Sequence, residues 1–221
     1  MKGKILLRTL CCLFVAIMAC GTAFAQHEKL KAPAAYRGPM AAMSAPDAPA
    51  VAPFYSNLVV NTCTACNYDT NNGYFVLGPT NCFAPGATQW IAYRFVAGHT
   101  GPLRQATVSV TDSGFCVATS LKFTVAIFDD ACLGVPNAQL AAATATAPAA
   151  PCATARARFP AGTTLTAGTT YWIVCMTNGG VQDGFTGVWW EANNAPAPYN
   201  LNDGNGWYSF YPASPGGFSV Q

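Results

Sequence analysis

The stretch Leu165-Thr-Ala-Gly-Thr-Thr-Tyr-Trp-Ile-Val-Cys-Met176 decides how the rest of the chain is read. A turn at Ala167-Gly168 opens it, and a run of β-branched and aromatic residues follows. Tyr171, Ile173 and Cys175 alternate with Trp172, Val174 and Met176, so neither face of the extended chain is polar. A strand with two apolar faces has to be covered on both sides. That predicts a central strand in a layered β protein.

Short period-two runs separated by turn chemistry lie on either side. Gln89–Val96 puts Gln89, Ile91, Tyr93 and Phe95 on one face and Trp90, Ala92, Arg94 and Val96 on the other. Arg104–Thr111 turns Ala106, Val108 and Val110 inward. Leu121–Phe128 turns Leu121, Phe123, Val125 and Ile127 inward, with Lys122 and Thr124 outside. Thr154–Phe159 places Arg156 and Arg158 outward. Further strands are expected at Asn57–Val60, Gly73–Leu77, Gly187–Ala192, Gly206–Tyr211 and Gly217–Val220, with a turn at Asn202-Asp-Gly-Asn-Gly206. Ala138–Ala147 reads equally as a short helix or an edge strand, because its alanines favour one and its alternating threonines the other. The expected fold is all-β: an antiparallel β-sandwich, jelly-roll-like, of about ten strands.

The ends read differently. Residues 1–25 have the form of a secretory signal peptide: Lys2, Lys4 and Arg8, an apolar run from Leu10 to Ala19, and Ala23-Phe-Ala25 as a cleavage site. Ile17-Met-Ala-Cys20 offers a second reading, a loose lipobox that would leave a lipid anchor on Cys20. Residues 26–52, rich in Ala and Pro, form an expected disordered spacer, and the folded domain is expected over 53–221. Export predicts a secreted or cell-surface protein, with the periplasm as the alternative. The whole chain carries 11 basic and 9 acidic residues; removing the three signal-peptide cations leaves 8 against 9, a net charge of −1. That balance argues against nucleic-acid binding, and no apolar run is long enough to predict a membrane-spanning helix.

Ten cysteines are present, three of them in the signal. The remaining seven, Cys63, Cys66, Cys82, Cys116, Cys132, Cys152 and Cys175, are disulfide candidates in an exported chain. An odd number leaves one unpaired, and about 105 schemes fit, so the pairing stays open. Cys175, in the central strand, also reads as a buried small hydrophobe. Cys63-Thr-Ala-Cys66 lacks the second pair a zinc ribbon needs and the βαβ setting of a redox site. A structural bridge, to each other or to Cys82 and beyond, is expected there.

A series of motifs, in order, resembles exported bacterial domains of the "choice-of-anchor" kind, often associated with PEP-CTERM sorting tails. They are Tyr55-Ser-Asn-Leu58, Tyr68-Asp-Thr-Asn-Asn-Gly-Tyr74, Ala92-Tyr-Arg-Phe95, Lys122-Phe-Thr-Val-Ala-Ile-Phe-Asp129, Gly134-Val-Pro-Asn137, Leu165–Val174, Asn205-Gly-Trp-Tyr208 and Gly217-Phe-Ser-Val220. The resemblance implies an extracellular or surface β-sandwich with no catalytic residues to carry over. The residues up to Gln221 hold no sorting motif, so surface anchoring is expected only through a lipidated Cys20. The number of cysteines points to a disulfide-stapled subgroup.

No catalytic constellation is expected. Asp129-Asp130 would point to opposite faces of a strand and reads as turn capping. A single Asp112-Ser-Gly114 lacks the partner carboxylate of an aspartic protease, and His99 reads as a solvated loop residue. No cofactor is expected; structural calcium is the alternative, but no Asp/Asn/Gly loop of recognised spacing supports it. The best functional lead is aromatic, because pyranose C–H faces stack on exposed indole rings. Trp189 shares a face with Glu191, which reads as the more exposed face, leaving Trp190 in the core. Trp207 follows a turn, and Trp90 shares a face with Arg94. The expected ligand-binding residues are therefore Trp189, Glu191, Trp207 and Trp90. The expected role is a non-catalytic extracellular module that contacts glycan or matrix. The alternatives are a polysaccharide-active enzyme and a surface assembly subunit joined through an edge strand or the odd cysteine.

Overall fold

A computed structural model of the chain describes residues 52–58, 66–115, 117, 120–130, 134–150, 152–177, 183–192 and 197–221. Residues 1–25, read as a signal peptide, the expected spacer up to residue 51, Val59–Val60, Cys63, Cys116 and Cys132 lie outside the described residues. Among those described, fifteen strands run in chain order and no helix is present: β1 (Tyr55–Ser56), β2 (Gly73–Leu77), β3 (Trp90–Val96), β4 (Gly101–Pro102), β5 (Gln105–Val108), β6 (Val110–Asp112), β7 (Lys122–Asp129), β8 (Gln139–Thr146), β9 (Ala155–Arg158), β10 (Thr164–Leu165), β11 (Thr170–Met176), β12 (Thr186–Trp190), β13 (Ala197–Asn202), β14 (Trp207–Ala213) and β15 (Phe218–Val220). The count exceeds the ten expected because β4 and β10 are only two residues long, one expected strand is split into β5 and β6, the ambiguous segment forms β8, and β13 was not expected.

The apolar stretch β11 sits inside a six-stranded sheet of order β14-β13-β3-β11-β7-β8. It pairs antiparallel on both sides, with Ile173 opposite Tyr93 of β3 and Ile127 of β7. Tyr171, Ile173 and Cys175 enter the main core, while Trp172 and Val174 build a second cluster with Ala92 on the other face. Both faces are covered, as a strand without polar residues requires.

The opposing layer is split. Sheet β1-β15-β5-β9 and sheet β2-β12-β6 meet where β5 gives way to β6 at Ser109. The buried Ser109 hydroxyl lies 2.7 Å from the Trp190 carbonyl and 2.9 Å from that of Gly217, and its backbone bonds to the same two residues. One small polar residue thus satisfies both strand ends where the partner changes from β15 to β12. The chain crosses repeatedly between layers: β2, β5–β6, β9, β12 and β15 on one side, β3, β7–β8, β11 and β13–β14 on the other. Alternation of this kind is the jelly-roll form of an all-β sandwich.

The core between the layers is aromatic. Trp189 meets Tyr93 edge-on, with centroids 4.8 Å apart at 89°, and Phe218 packs against both. Such pairs contribute about 0.5–1.5 kcal/mol each beyond the area they bury. Cys175 is free and fully buried, which pushes its thiol well above the ordinary range and keeps it a small apolar filler. Cys66 bonds to Cys152 across 86 residues, and Cys82 is also disulfide-bonded. Cys66 therefore pairs beyond Cys82 and not with Cys63.

Four buried tyrosines, Tyr68, Tyr74, Tyr93 and Tyr199, have hydroxyl pKa values raised above 10, in each case first by burial. A raised folded-state pKa leaves stability intact below the unfolded value and removes it as pH climbs past that value. Urea midpoints are expected to show no tyrosine contribution up to about pH 9.5. Above about pH 10 stability falls, by up to about 1.4 kcal/mol per pH unit for each fully buried tyrosine. Absorbance of tyrosinate that appears only together with unfolding would show the same linkage.

Several strands differ from expectation. Ala138–Ala147 resolves as the edge strand β8, with Ala141 and Ala143 against the core and Thr144 outward. The residues Asn57–Leu58 are not strand; β1 lies just before them. Leu121 is 39% exposed and does not join the inner face. Strand β13, Ala-Pro-Tyr-Asn-Leu-Asn, carries no strand signature. Its pairing shifts register between Ala197 and Tyr199, at the proline that has no N–H to give the ladder.

Candidate functional site

Of the four aromatic and acidic residues expected to meet a ligand, the structure removes two. Trp189 has no exposed surface and lies in the main core, where its indole N–H donates to the Gly217 carbonyl at 3.1 Å. Glu191 is buried too, at 7% exposure. Trp190, expected in the core, is indeed buried, on the opposite face of β12, with its indole donating to Thr111 at 2.7 Å. Alternation correctly separated the two faces of β12, but both are covered, so the choice of Trp189 as the exposed ring fails.

The other two come together. Asn202 of β13 is the direct register partner of Trp90 on β3 and of Trp207 on β14. Directly paired residues project to the same side, so Trp90, Asn202 and Trp207 form one row across three strands. The row lies on the outer face of the six-stranded sheet, and all three residues are half-buried. Two strand spacings separate the tryptophan backbones by about 9–10 Å. Trp90 is held by an indole bond to the Thr177 hydroxyl at 3.0 Å.

Trp207 packs against the cluster of Ala92, Trp172 and Val174. Its ring meets that of Phe128, centroids 6.5 Å apart at 73°. Trp207 and Phe128 stand on strands four places apart, about 19 Å on a flat sheet. Their contact requires the sheet to curl toward this face. Ala92, Val174 and Ala126, the middle row, are small enough to let the edge ring lean inward.

Charge is tied down beside the aromatics. Asp130, at the end of β7, accepts the Trp172 indole N–H at 2.7 Å and the Arg94 guanidinium at 2.8 Å. Both carboxylate oxygens are thus occupied, one by a buried donor. The aromatic floor is locked in place by a hydrogen-bonded pair. Asn200, fully buried in the same sheet, donates to the Gly134 carbonyl at 2.9 Å and anchors the loop above. The expectations from sequence missed Asn202, Phe128 and Asp130 as parts of a site. Phe128 was recoverable, because the period of Leu121–Phe128 puts it with Lys122 and Thr124.

Three of the remaining acids are engaged locally. Asp129 accepts from the Asn137 side chain and the Ala138 amide and closes its loop, as the capping reading anticipated. Asp183 accepts from the Phe185 amide, and Asp203 from the Asn205 amide in the β13–β14 turn. Among the described residues no group of three His, Cys, Asp or Glu side chains is placed to hold a metal ion. His99 is not simply solvated: it stacks on Phe54 with centroids 4.2 Å apart.

The fold and this face define an all-β sandwich with a half-exposed aromatic row on one outer sheet. The sequence matches no protein-family model and no curated protein. Among the described residues no helix is long and apolar enough to cross a membrane.

Proposed function

We propose that the chain is an exported, non-catalytic module that binds a glycan across the outer face of its six-stranded sheet. The Trp90–Asn202–Trp207 row carries this reading. Two half-exposed tryptophans whose backbones stand about two strand spacings apart suit a short oligosaccharide, and each offers an apolar surface to a pyranose C–H face. Asn202 between them supplies an amide donor and acceptor for sugar hydroxyls. The Asp130 network holds the floor rigid, which lowers the ordering cost of binding.

The resemblance to exported choice-of-anchor domains and the signal-like residues 1–25 support an extracellular or cell-surface location. The Cys66–Cys152 bridge fits an oxidising compartment. In this reading residues 26–52 are the spacer that holds the sandwich away from its point of attachment or release.

The test is binding to insoluble and soluble neutral polysaccharides, quantified by affinity electrophoresis. Trp90→Ala and Trp207→Ala are each expected to weaken binding about tenfold, the equivalent of about 1.4 kcal/mol per lost stacking surface. Both variants should keep a cooperative thermal transition. Unchanged affinity in the double variant would remove the proposal.

A further inference from the structure

A second face of the molecule has its own chemistry. The domain over 53–221 contains five cations (Arg94, Arg104, Lys122, Arg156 and Arg158) and seven acids. Three of the five, Arg104, Arg156 and Arg158, gather on the outer side of the sheet β1-β15-β5-β9. Arg156 and Arg158 alternate with the buried Ala155 and Ala157 along β9 and lie opposite Thr107 and Gln105. All three guanidinium groups are exposed, and among the described residues none forms an ion pair.

The backbone aims the third arginine. Arg104 and Gln105 both donate their amides to the Gln221 carbonyl, at 2.7 and 3.0 Å. Two residues opposite one is the mark of a β-bulge, which breaks the in–out alternation and re-aims a side chain. Leu103 is in the core and Ala106 is in the core, so Arg104 and Gln105 both project outward. They line a cavity of about 300 Å³ together with Phe54, His99, Pro102 and Gln221. Arg158, paired with Gln105, stands at its margin.

We propose that this arginine face and its cavity bind an anionic polysaccharide through the carboxylate or sulfate groups of the polymer. Guanidinium forks match such groups, and Arg156 and Arg158 repeat along the strand at about 6.8 Å. Around them the surface is amide and hydroxyl, from Gln105, Thr107 and Gln221, which suits a hydroxyl-rich chain. Three arginines on a domain of net charge −2 (five cations less seven acids) are too few for a nucleic-acid backbone. The outward residues of β5 and β9 include no aromatic wedge for a lipid surface. The site is on the opposite layer from Trp90 and Trp207 and stands independently of the proposed function.

Purified protein would be titrated with polygalacturonate, a sulfated dextran, a neutral dextran, phosphatidylglycerol vesicles and a DNA duplex, at two salt concentrations. Binding to either anionic polysaccharide is expected to weaken with salt, whereas any binding to neutral dextran is expected to be salt-independent and unchanged by the arginine substitutions below. The variant Arg104→Gln/Arg156→Gln/Arg158→Gln should bind at least tenfold more weakly with an unchanged melting temperature. The corresponding Arg→Lys variant should retain intermediate affinity, and Trp90→Ala/Trp207→Ala should bind as the parent does. Three results overturn the proposal: no anionic polysaccharide bound, equal binding by the Arg→Gln variant, or tighter binding to vesicles or duplex than to either polymer.

Discussion

Trp189→Ala is expected to destabilise the domain by about 3–5 kcal/mol, the cost of deleting a large ring from a packed core. The ring has no exposed surface and packs edge-on against Tyr93 and Phe218. Gly216 lies directly against the indole, where even a methyl group would collide. The backbone there is closed by an isolated Glu191–Gly216 bridge, so it has little freedom to collapse into a cavity. For a domain of this size the loss corresponds to about 6–20 °C in melting temperature. A thermal melt by circular dichroism measures it. A melt unchanged from the parent would place Trp189 on the surface, where the sequence alone had put it.

Loss of the Cys66–Cys152 bridge is the second large effect. The bridge closes 86 residues, and the chain-entropy argument gives about 4–5 kcal/mol for a loop of that length, with measured losses of about 2–5 kcal/mol. Tyr68, two residues from Cys66, donates its hydroxyl to the Ala153 carbonyl at 2.7 Å, so the same two segments stay partly tethered without the bond. Cys152 also sits at φ 67°, a left-handed conformation that costs a non-glycine residue about 1 kcal/mol. Cys66→Ser/Cys152→Gly should therefore be more stable than Cys66→Ser/Cys152→Ser by up to about 1 kcal/mol, although both fall well below the parent. Urea midpoints of the three proteins test the order. Reduction is a poorer test, since Cys82 is bonded as well.

The central strand was readable because its evidence is local: an apolar run on both faces admits few placements, and β11 took the expected one. The same alternation assigned Ala106, Val108, Phe123, Val125 and Ile127 to the core without knowledge of their partners. It failed at Trp189 and Glu191 for a physical reason. Period two tells which residues share a face, but not which face is covered. Glu191 resembled a solvent marker, yet it lies buried in the surroundings of Tyr74, Tyr93 and Tyr199, whose hydroxyl pKa values its charge helps to raise. The aromatic row was hidden for a different reason. It needs β13 to pair between β3 and β14, and β13 contains a proline and no β-branched residue. Trp90 and Trp207 were each chosen singly; only long-range pairing through Asn202 makes them neighbours.

The arginine face shows the same limit. Arg156 and Arg158 could be placed outward from the period of Thr154–Phe159. Arg104 could not be added to them, because a bulge opposite Gln221 overrides the alternation of its strand. A sandwich that engages neutral glycan on one layer and acidic polymer on the other would link two components of an extracellular matrix.

The proposed glycan-binding role of the Trp90–Asn202–Trp207 face is tested most directly by following indole N–H signals in a ¹⁵N-labelled sample during titration with a neutral oligosaccharide ligand identified by affinity electrophoresis. The chain has five tryptophans, so each indole can be assigned by single substitution. Saturable shifts at Trp90 and Trp207, with Trp189 and Trp190 unmoved, are the predicted result. Shifts centred on Trp189 and Trp190, or binding that leaves Trp90 and Trp207 unperturbed, would contradict it.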